Sequence, residues 1–114
     1  MTPSTIRLTK IGSETVLAPK GPLTYQNCGE LETIFNECIS QHKTDLILSC
    51  KDVSFIDSES LELLVRMHET LIKQGGMLKI INLVEACRDI LFATRLIKVF
   101  HVYNNINEAI RNVP

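Results

Sequence analysis

The chain changes from strand to helix at Val53-Ser54-Phe55-Ile56-Asp57-Ser58-Glu59-Ser60-Leu61, where an apolar run ends and a long amphipathic helix begins. Asp57 and Ser58 stand at the predicted helix start, and the first N–H groups of a helix have no partner within the helix. The partial positive charge of that end also stabilises an anion. Ser58 is therefore either a simple helix cap or a hydroxyl that can be phosphorylated, and the two interpretations imply different functions.

Short strands alternate with helices on both sides of this stretch. Apolar side chains at helical spacing predict one long helix after Thr24, which we expect to cap it, and another after Ser58 that ends at Gly75. Predicted strands cover residues 6–10, 15–18, 46–48, 77–81 and 99–103, and shorter helices cover residues 85–94 and 106–112. This order predicts a single α/β domain over residues 1–114, with a mixed, mostly parallel central sheet of about five strands and about four helices.

Two apolar stripes are expected to face the core of this domain. The stripe of the first long helix is Leu31, Ile34, Phe35, Cys38 and Ile39. The stripe of the second is Leu61, Leu64, Val65, His68, Leu71 and Ile72. Phe55, just before the second helix, is also expected to be a core side chain.

Composition and charge exclude several classes of function. Hydrophobic residues make up 45% of the chain and charged residues 22%, which is typical of a globular domain. The net charge of -1 leaves no basic stripe for nucleic acid. The apolar runs are far shorter than the ~20 residues of a membrane span, and residues 1–4 show no signal pattern. We therefore expect a cytoplasmic protein with no nucleic-acid partner and no direct membrane insertion.

The residues that most often carry chemistry are scattered along the chain. No C-x-x-C pair or zinc spacing connects the cysteines, which we expect to be reduced: Cys28, Cys38, Cys50 and Cys87. The histidines are scattered and belong to no recognisable catalytic motif: His42, His68 and His101. The chain also lacks the phosphate-loop and H-E-x-x-H motifs. We expect no catalytic residues, no metal and no cofactor, and hence no enzyme.

The segment Asp-Leu-Ile-Leu-Ser-Cys-Lys-Asp-Val-Ser-Phe-Ile-Asp-Ser-Glu-Ser-Leu, residues 45–61, resembles the STAS family, in particular the bacterial anti-sigma-factor antagonists. Those proteins carry an apolar strand, a polar break and then Asp-Ser at a helix start. Gly21-Pro22-Leu23-Thr24 resembles the turn before their first helix. Gly75-Gly76 before a strand is also typical of the family, so the resemblance covers nearly the whole chain.

The resemblance implies a function and a set of partners. In that family the serine after the aspartate accepts a phosphate, and by position the acceptor here is Ser58. The implied partners are a GHKL-type serine-kinase anti-sigma factor, which modifies the serine, and a PP2C-type phosphatase, which restores it. The unmodified antagonist binds the anti-sigma factor and frees the sigma factor. We expect the protein to be a monomer or a weak dimer.

The predicted partner-binding surface combines the turn and the helix start. Its residues are Gly21, Leu23, Thr24, Asp57, Ser58, Glu59, Ser60 and Glu62. Three of them depart from the family pattern. Ser60 stands where the family has glycine and Glu59 where it has a small residue, while Thr24, like the neighbouring Pro22, stands where many relatives carry an acidic residue. The permanent charge of Glu59 suggests a site that partly resembles the phosphorylated state.

An alternative within the same family is a constitutive adaptor. Such a STAS subunit is not phosphorylated and serves a signalling or membrane-transport complex, for example in lipid trafficking. The helix cap alone is compatible with both interpretations, because an exposed cap is also accessible to a kinase.

Overall fold

The computed structural model describes residues 6–43 and 45–111. Its elements, in chain order, are β1 (Ile6–Ile11), β2 (Glu14–Pro19), α1 (Cys28–Ser40), β3 (Asp45–Ser49), α2 (Ser58–Lys73), β4 (Met77–Ile81), α3 (Glu85–Ala93), a 3-10 turn (Leu96–Lys98), β5 (His101–Tyr103) and α4 (Ile106–Arg111). Two sequence predictions extend outside the described residues: the absence of a signal pattern in residues 1–4, and the end of the last helix at Asn112.

The five strands form one sheet in the order β1-β2-β3-β4-β5. β1 and β2 form an antiparallel hairpin around Gly12, whose φ of 62° is in the left-handed region that glycine adopts readily. The remaining neighbours pair in parallel, because a helix crosses between each strand and the next. The predicted mixed, mostly parallel sheet with four helices is confirmed.

The two faces of the sheet are covered unequally. Side chains alternate between faces along a strand, so Leu46 and Leu48 of β3 lie in the main core with the long helices. Ile47 faces the other way, into a small cluster under α4 that includes Ala109. Lys79 is buried on this second face, where its Nζ donates a hydrogen bond to the carbonyl oxygen of Ala109. A lysine in a buried strand is thus explained by its contact with the last turn of α4.

Helix α2 buries a wider face than its predicted stripe. Leu61, Leu64, His68 and Leu71 are buried as predicted, and so are three residues outside that stripe: Ser60, Leu63 and Met67. Val65 is partly buried, and Ile72 is 51% exposed, so the prediction for Ile72 was wrong. The face is wide because α2 packs against both β4 and α1. The stripe of α1 is confirmed at Leu31, Phe35 and Cys38, while Ile34 and Ile39 are only partly buried.

Helix α2 ends in a glycine motif, as predicted from Gly75-Gly76. The N–H of Gly75, at φ 82°, donates to the carbonyl of Ile72 at 3.0 Å. The N–H of Gly76 donates to the carbonyl of Leu71 at 2.8 Å. These two bonds form the Schellman arrangement, which satisfies carbonyl groups that the helix leaves open.

Two predicted element boundaries were wrong. Helix α1 begins at Cys28 and not just after Thr24, because residues 24–27 form a turn in which the Thr24 carbonyl accepts hydrogen bonds from the N–H groups of Asn27 and Cys28. The last strand begins at His101 and not at residue 99. Arg95, at φ 64°, starts the intervening 3-10 turn. Within the described ranges, no helix combines the length and the apolar composition needed to cross a membrane.

Candidate functional site

The segment that leads from β3 into α2 runs beside the segment that follows β2. The N–H of Gly21 donates to the carbonyl of Asp52 at 2.8 Å, and the N–H of Leu23 to that of Phe55 at 2.8 Å. The N–H of Asp57 in turn donates to the carbonyl of Leu23 at 3.0 Å. These bonds continue the parallel pairing of β2 and β3. They bring the turn of residues 21–24 next to the start of α2, as the sequence interpretation requires.

Asp57 is the N-cap of α2 and also holds the neighbouring turn. Its Oδ1 accepts a hydrogen bond from the N–H of Ser60 at 2.9 Å, which satisfies one open donor of the helix. Its Oδ2 accepts another from the N–H of Tyr25 at 2.7 Å. The Ser60 N–H, followed by that of Tyr25, holds the pKa of the Asp57 carboxyl below its usual value. One carboxylate therefore fixes both the helix start and the adjoining turn.

The lowered pKa of Asp57 predicts how stability depends on pH. In the unfolded chain this carboxyl titrates near ~3.9, so its stabilising effect is complete above that pH and is lost as the pH falls through the folded-state pKa. Asparagine caps a helix about as well but carries no charge. We expect the difference in urea midpoint between wild type and Asp57→Asn to shrink when the pH is lowered from about 7 to about 3. A constant difference over this range would contradict the assignment.

Ser58 is exposed as the first residue of α2, beside two acidic side chains. Glu59 and Glu62 are both exposed on the first two turns. The hydroxyl of Ser58 is therefore accessible at a helix N-terminus that favours added negative charge, while its neighbours oppose that charge. The phosphorylation predicted for Ser58 remains a prediction at this point.

The predicted contact surface contains two residues whose side chains are buried, Leu23 and Ser60. Leu23 belongs to the main core. Gly21 and Thr24 are partly exposed at the turn. Their roles in binding, like those of the exposed acids, remain predictions.

The hydroxyl of Ser60 is buried, and its Oγ makes no hydrogen bond of normal geometry within the described part of the chain. It is nevertheless close enough to the Asp57 carboxylate to contribute to the lowered pKa of that group. An unsatisfied buried hydroxyl costs stability, because the folded state does not replace its bond to water. Serine here thus occupies a position that requires only a small side chain.

We expect Ser60→Ala to stabilise the protein by about 1 kcal/mol, because it removes the unsatisfied hydroxyl and improves helix propensity. Urea unfolding measures the change. The matched control is Ser58→Ala in the same helix turn. The Ser58 hydroxyl stays in contact with water in the folded state, so its removal should change the free energy of unfolding little. A loss of stability in Ser60→Ala would show that the hydroxyl has a partner.

Two exposed aromatic side chains flank the helix start. Tyr25 is 64% exposed and Phe55 is 48% exposed. Phe55 was predicted to be a core residue, and that prediction was wrong. The loop residues Val53 and Ile56 on either side are buried instead, with a spacing of three residues that directs Phe55 outward. Side chains in this loop do not alternate between two faces as they do in a strand, because the loop lies beyond the end of β3.

An open groove of about 470 Å3 adjoins Ser58 on the other side. Its apolar lining comes from Leu61 and Val65 of α2 and from Leu96 of the 3-10 turn. Ser58, Glu62, Arg66 and Thr94 complete its lining. Sequence reasoning missed this groove, because Leu96 is 38 positions from Ser58 in the chain and no local pattern connects the two.

The other reactive side chains do not belong to the predicted contact surface. His68 is buried with its ring 5.6 Å from that of Phe100, and burial, followed by nearby His101, lowers its pKa. The cysteines are free, and the buried Cys87 thiol donates to the carbonyl of Val53 at 3.3 Å. In the part of the chain that the structure describes, no group of three or more side chains could hold a metal ion.

Comparison with known proteins defines the class of protein. The family model described as the STAS domain matches residues 5–109, so the chain belongs to the STAS domain family. A Thermotoga maritima protein, named as a candidate anti-sigma factor antagonist, is 26% identical over 99 residues, which cover 86% of this chain and 88% of that protein. The resemblance that the Asp57-Ser58 segment suggested is therefore confirmed.

Solved structures share the fold. An anti-sigma factor antagonist from Mycobacterium paratuberculosis matches with a TM-score of 0.85 and 22% identity, covering 96% of this chain and 92% of that one. The Bacillus protein SpoIIAA matches in its unphosphorylated form with a TM-score of 0.73 and 17% identity, covering 95% and 99% of the two chains. Its phosphorylated form matches with a TM-score of 0.74 and 20% identity, covering 96% and 99%.

Proposed function

We propose that this protein is an anti-sigma-factor antagonist that acts in the cytoplasm and is controlled by phosphorylation of Ser58. Unmodified, it binds a GHKL-type serine-kinase anti-sigma factor and so frees a sigma factor. The kinase phosphorylates Ser58, the complex dissociates, and a PP2C-type phosphatase restores the active form. The observation that carries the proposal is the exposed Ser58 hydroxyl at the first position of α2, in a STAS chain whose named relatives are anti-sigma factor antagonists.

Charge at the helix start supports a local switch. A phosphoserine carries about -1.5 to -2 charges near neutral pH. At about 7 Å from a unit negative charge, a charge of that size is repelled by about 0.9 to 1.2 kcal/mol in water and by about 3.6 to 4.7 kcal/mol at an effective dielectric of 20. The helix N-terminus stabilises an anion by about 0.3 to 2 kcal/mol. Because Ser58 is exposed, the repulsion in water applies, and the two effects are comparable. The site therefore accommodates a phosphate despite Glu59, and the phosphate would act mainly on binding to the partner.

The fold also supports a switch without large refolding. The chain matches SpoIIAA equally well in its unphosphorylated and phosphorylated forms, with TM-scores of 0.73 and 0.74. Ser58 is exposed at a helix end that Asp57 already fixes by hydrogen bonds to both the helix and the turn. Phosphate would therefore act by repulsion and bulk at the contact surface.

The test is phosphorylation by each purified GHKL-type serine kinase of the source organism, with ATP and Mg²⁺, followed by mass spectrometric mapping of the site. We expect one phosphate at Ser58 and none in Ser58→Ala. The matched control is Ser54→Ala, because Ser54 is exposed in the same loop and should not be the acceptor. Modification that persists in Ser58→Ala would contradict the proposal.

Glu59 favours a second candidate, the constitutive adaptor, because a permanent acid beside Ser58 opposes an added charge. The STAS fold also occurs within a larger protein, the murine anion transporter Slc26a9, which matches with a TM-score of 0.65 and 22% identity over 90% of this chain and 18% of that one. Stable binding to a transport subunit, with no phosphate on Ser58 in cells, would support this candidate over the first.

Glu59 also yields a prediction for the proposed switch. If its charge partly imitates the phosphorylated state, Glu59→Ser should bind the anti-sigma factor more tightly than wild type by about two- to tenfold. Titration calorimetry measures this gain, and Glu69→Ser on the exposed side of α2 controls for a general loss of charge. Unchanged affinity of Glu59→Ser would remove the imitation hypothesis and leave the switch itself intact.

A further inference from the structure

The face of the sheet opposite the long helices is only partly covered. The parallel strands β2, β3, β4 and β5 are neighbours in chain order, so right-handed crossovers place α1, α2 and α3 on one face. Apolar residues of all three helices meet in the main core, among them Leu31, Leu64 and Leu91. On the opposite face the short helix α4 packs mainly against β4 and β5. The part of that face formed by β1 and β2 is therefore left open.

This open part contains a pocket of about 290 Å3. A row of four side chains crosses the sheet there, because Arg7 pairs with Ala18, Ser49 pairs with Ile81, and β2 and β3 are in register one residue earlier. Adjacent strands lie about 4.8 Å apart, so the backbones of Arg7 and Ile81 are separated by about 14 Å. Ala18 and Ser49, the two residues between them, are small. Their size leaves space for a ligand between larger neighbours.

Apolar side chains from three elements line the pocket. Val16 of β2 and Ile81 of β4 are buried, and both belong to the second hydrophobic cluster. Ile106 of α4 packs against the same cluster and also lines the pocket. Because packing within the fold already fixes these side chains, the apolar surface is formed before a ligand arrives.

The charged lining of the pocket is mostly basic. Arg7 and Lys51 both line it, and within the described residues neither side chain forms an ion pair. Asp52 is the one carboxylate among the described lining residues, so one positive charge remains in excess. Thr9 and Asn82 add uncharged groups that can form hydrogen bonds. The pocket thus combines apolar surface with basic side chains that lack a partner.

We propose that this pocket binds a small aliphatic carboxylate. The carboxylate of the ligand pairs with Arg7 and Lys51, since a guanidinium group can bind a carboxylate through two parallel hydrogen bonds. The aliphatic part lies over Ala18 and contacts Val16 and Ile106. Apolar walls with a few convergent polar groups are typical of small-molecule sites. The pocket lies on the face of the sheet opposite α2, so this inference does not depend on phosphorylation of Ser58.

Size and charge together favour a monoanion over a nucleotide. Small-molecule sites usually have volumes of about 300 to 1,000 Å3, and this pocket is at the lower end of that range. A phosphate dianion would also meet stronger repulsion from Asp52 than a carboxylate does, because the energy scales with the charge.

The first test titrates the isotope-labelled protein with octanoate and follows the backbone amide signals by nuclear magnetic resonance. The matched probes are 1-octanol, which has the same chain without the charge, and acetate, which has the charge without the chain. We expect octanoate to bind at least about tenfold more tightly than either probe. The largest signal changes are expected at Ala18, Ser49 and Asn82.

Two charge variants test the role of Arg7. Arg7→Gln should weaken octanoate binding by about tenfold, because it removes a charge-assisted pair with the carboxylate. The matched control is Lys10→Gln, which removes the same charge from the same strand, but on the face of the sheet that does not carry the pocket. Lys10→Gln should change the affinity by less than about twofold.

Two further variants change the space and the repulsion in the pocket. Ala18→Leu should abolish octanoate binding, because the larger side chain fills the space between Arg7 and Ile81. Asp52→Asn should tighten binding by about two- to fivefold, because it removes the carboxylate that repels the ligand. Thermal unfolding shows whether each variant is folded, and the Arg7→Gln comparison decides the matter if Ala18→Leu is not.

Several results would overturn the inference. Equal affinity for octanoate and 1-octanol would mean that the charge is not recognised. Equal losses in Arg7→Gln and Lys10→Gln would indicate non-specific attraction of an anion. Signal changes confined to the groove beside Ser58, or no binding at millimolar octanoate, would also exclude the site. Signals at Ala18 and Ser49 that shift with protein concentration alone would assign this face to a second copy of the chain. None of these results bears on the proposed switch at Ser58.

Discussion

Ser58→Asp is expected to weaken binding to the anti-sigma factor by about hundredfold or more, equivalent to about 2.8 kcal/mol, while the protein remains fully folded. The exposed Ser58 lies between the turn of residues 21–24 and the groove, so a partner that covers either surface also covers this side chain. An unpaired carboxylate buried in that contact would lose its hydration without compensation.

The stability of the same variant should change little. The favourable interaction of an added acid with the N-terminal helix dipole offsets its repulsion from the exposed Glu59 and Glu62. The matched control is Ser54→Asp, which places the same charge on an exposed residue of the same loop. A loss of binding that accompanies a lower unfolding midpoint would instead assign Ser58 a purely structural role as part of the cap.

Leu64→Ala is expected to reduce the free energy of unfolding by about 3 to 5 kcal/mol. Leu64 is completely buried in the main core, on the face of α2 between the sheet and α1. Its truncation loses apolar burial and leaves a cavity that rigid neighbours cannot fill. A domain of this size has a total stability of only about 5 to 15 kcal/mol, so this single change removes a large part of it.

The matched control for Leu64→Ala is Ile72→Ala on the same helix. Ile72 is half exposed, so its truncation should change the free energy of unfolding by less than about 0.5 kcal/mol. Urea unfolding monitored by far-ultraviolet circular dichroism measures both. Equal losses in the two variants would mean that α2 contributes by helix propensity alone, and would contradict the packing described above.

These two predictions together distinguish the roles of α2. In the proposed function, one end of the helix presents Ser58 to a partner, and the buried face of the helix holds that end in place against the sheet. We expect Leu64→Ala to impair binding only in proportion to the unfolded fraction, whereas Ser58→Asp impairs binding of a folded protein. Affinity measured well below the unfolding midpoint separates these two causes.

Local sequence patterns were sufficient for the element order and for the position of the helix start that carries the candidate site. Alternating strand and helix patterns determined a mixed, mostly parallel sheet, since a parallel connection requires a crossover helix. Asp57 before an amphipathic stretch determined where α2 begins, because an N-cap side chain accepts a hydrogen bond from a backbone N–H only two or three residues later. Gly75 determined where α2 ends, because glycine adopts a positive φ readily and this cap involves only the last turn of the helix.

Only the tertiary structure decided which side chains are exposed at this site. Ile72 fits the apolar stripe of α2 but is half exposed. Met67 lies outside that stripe but is buried, because α2 packs against both β4 and α1. Phe55 is exposed because the loop is held by backbone bonds to the segment after β2. The groove combines α2 with Leu96 of a distant turn. Burial depends on which elements pack against each other, and local sequence patterns do not specify contacts between residues that are far apart in the chain.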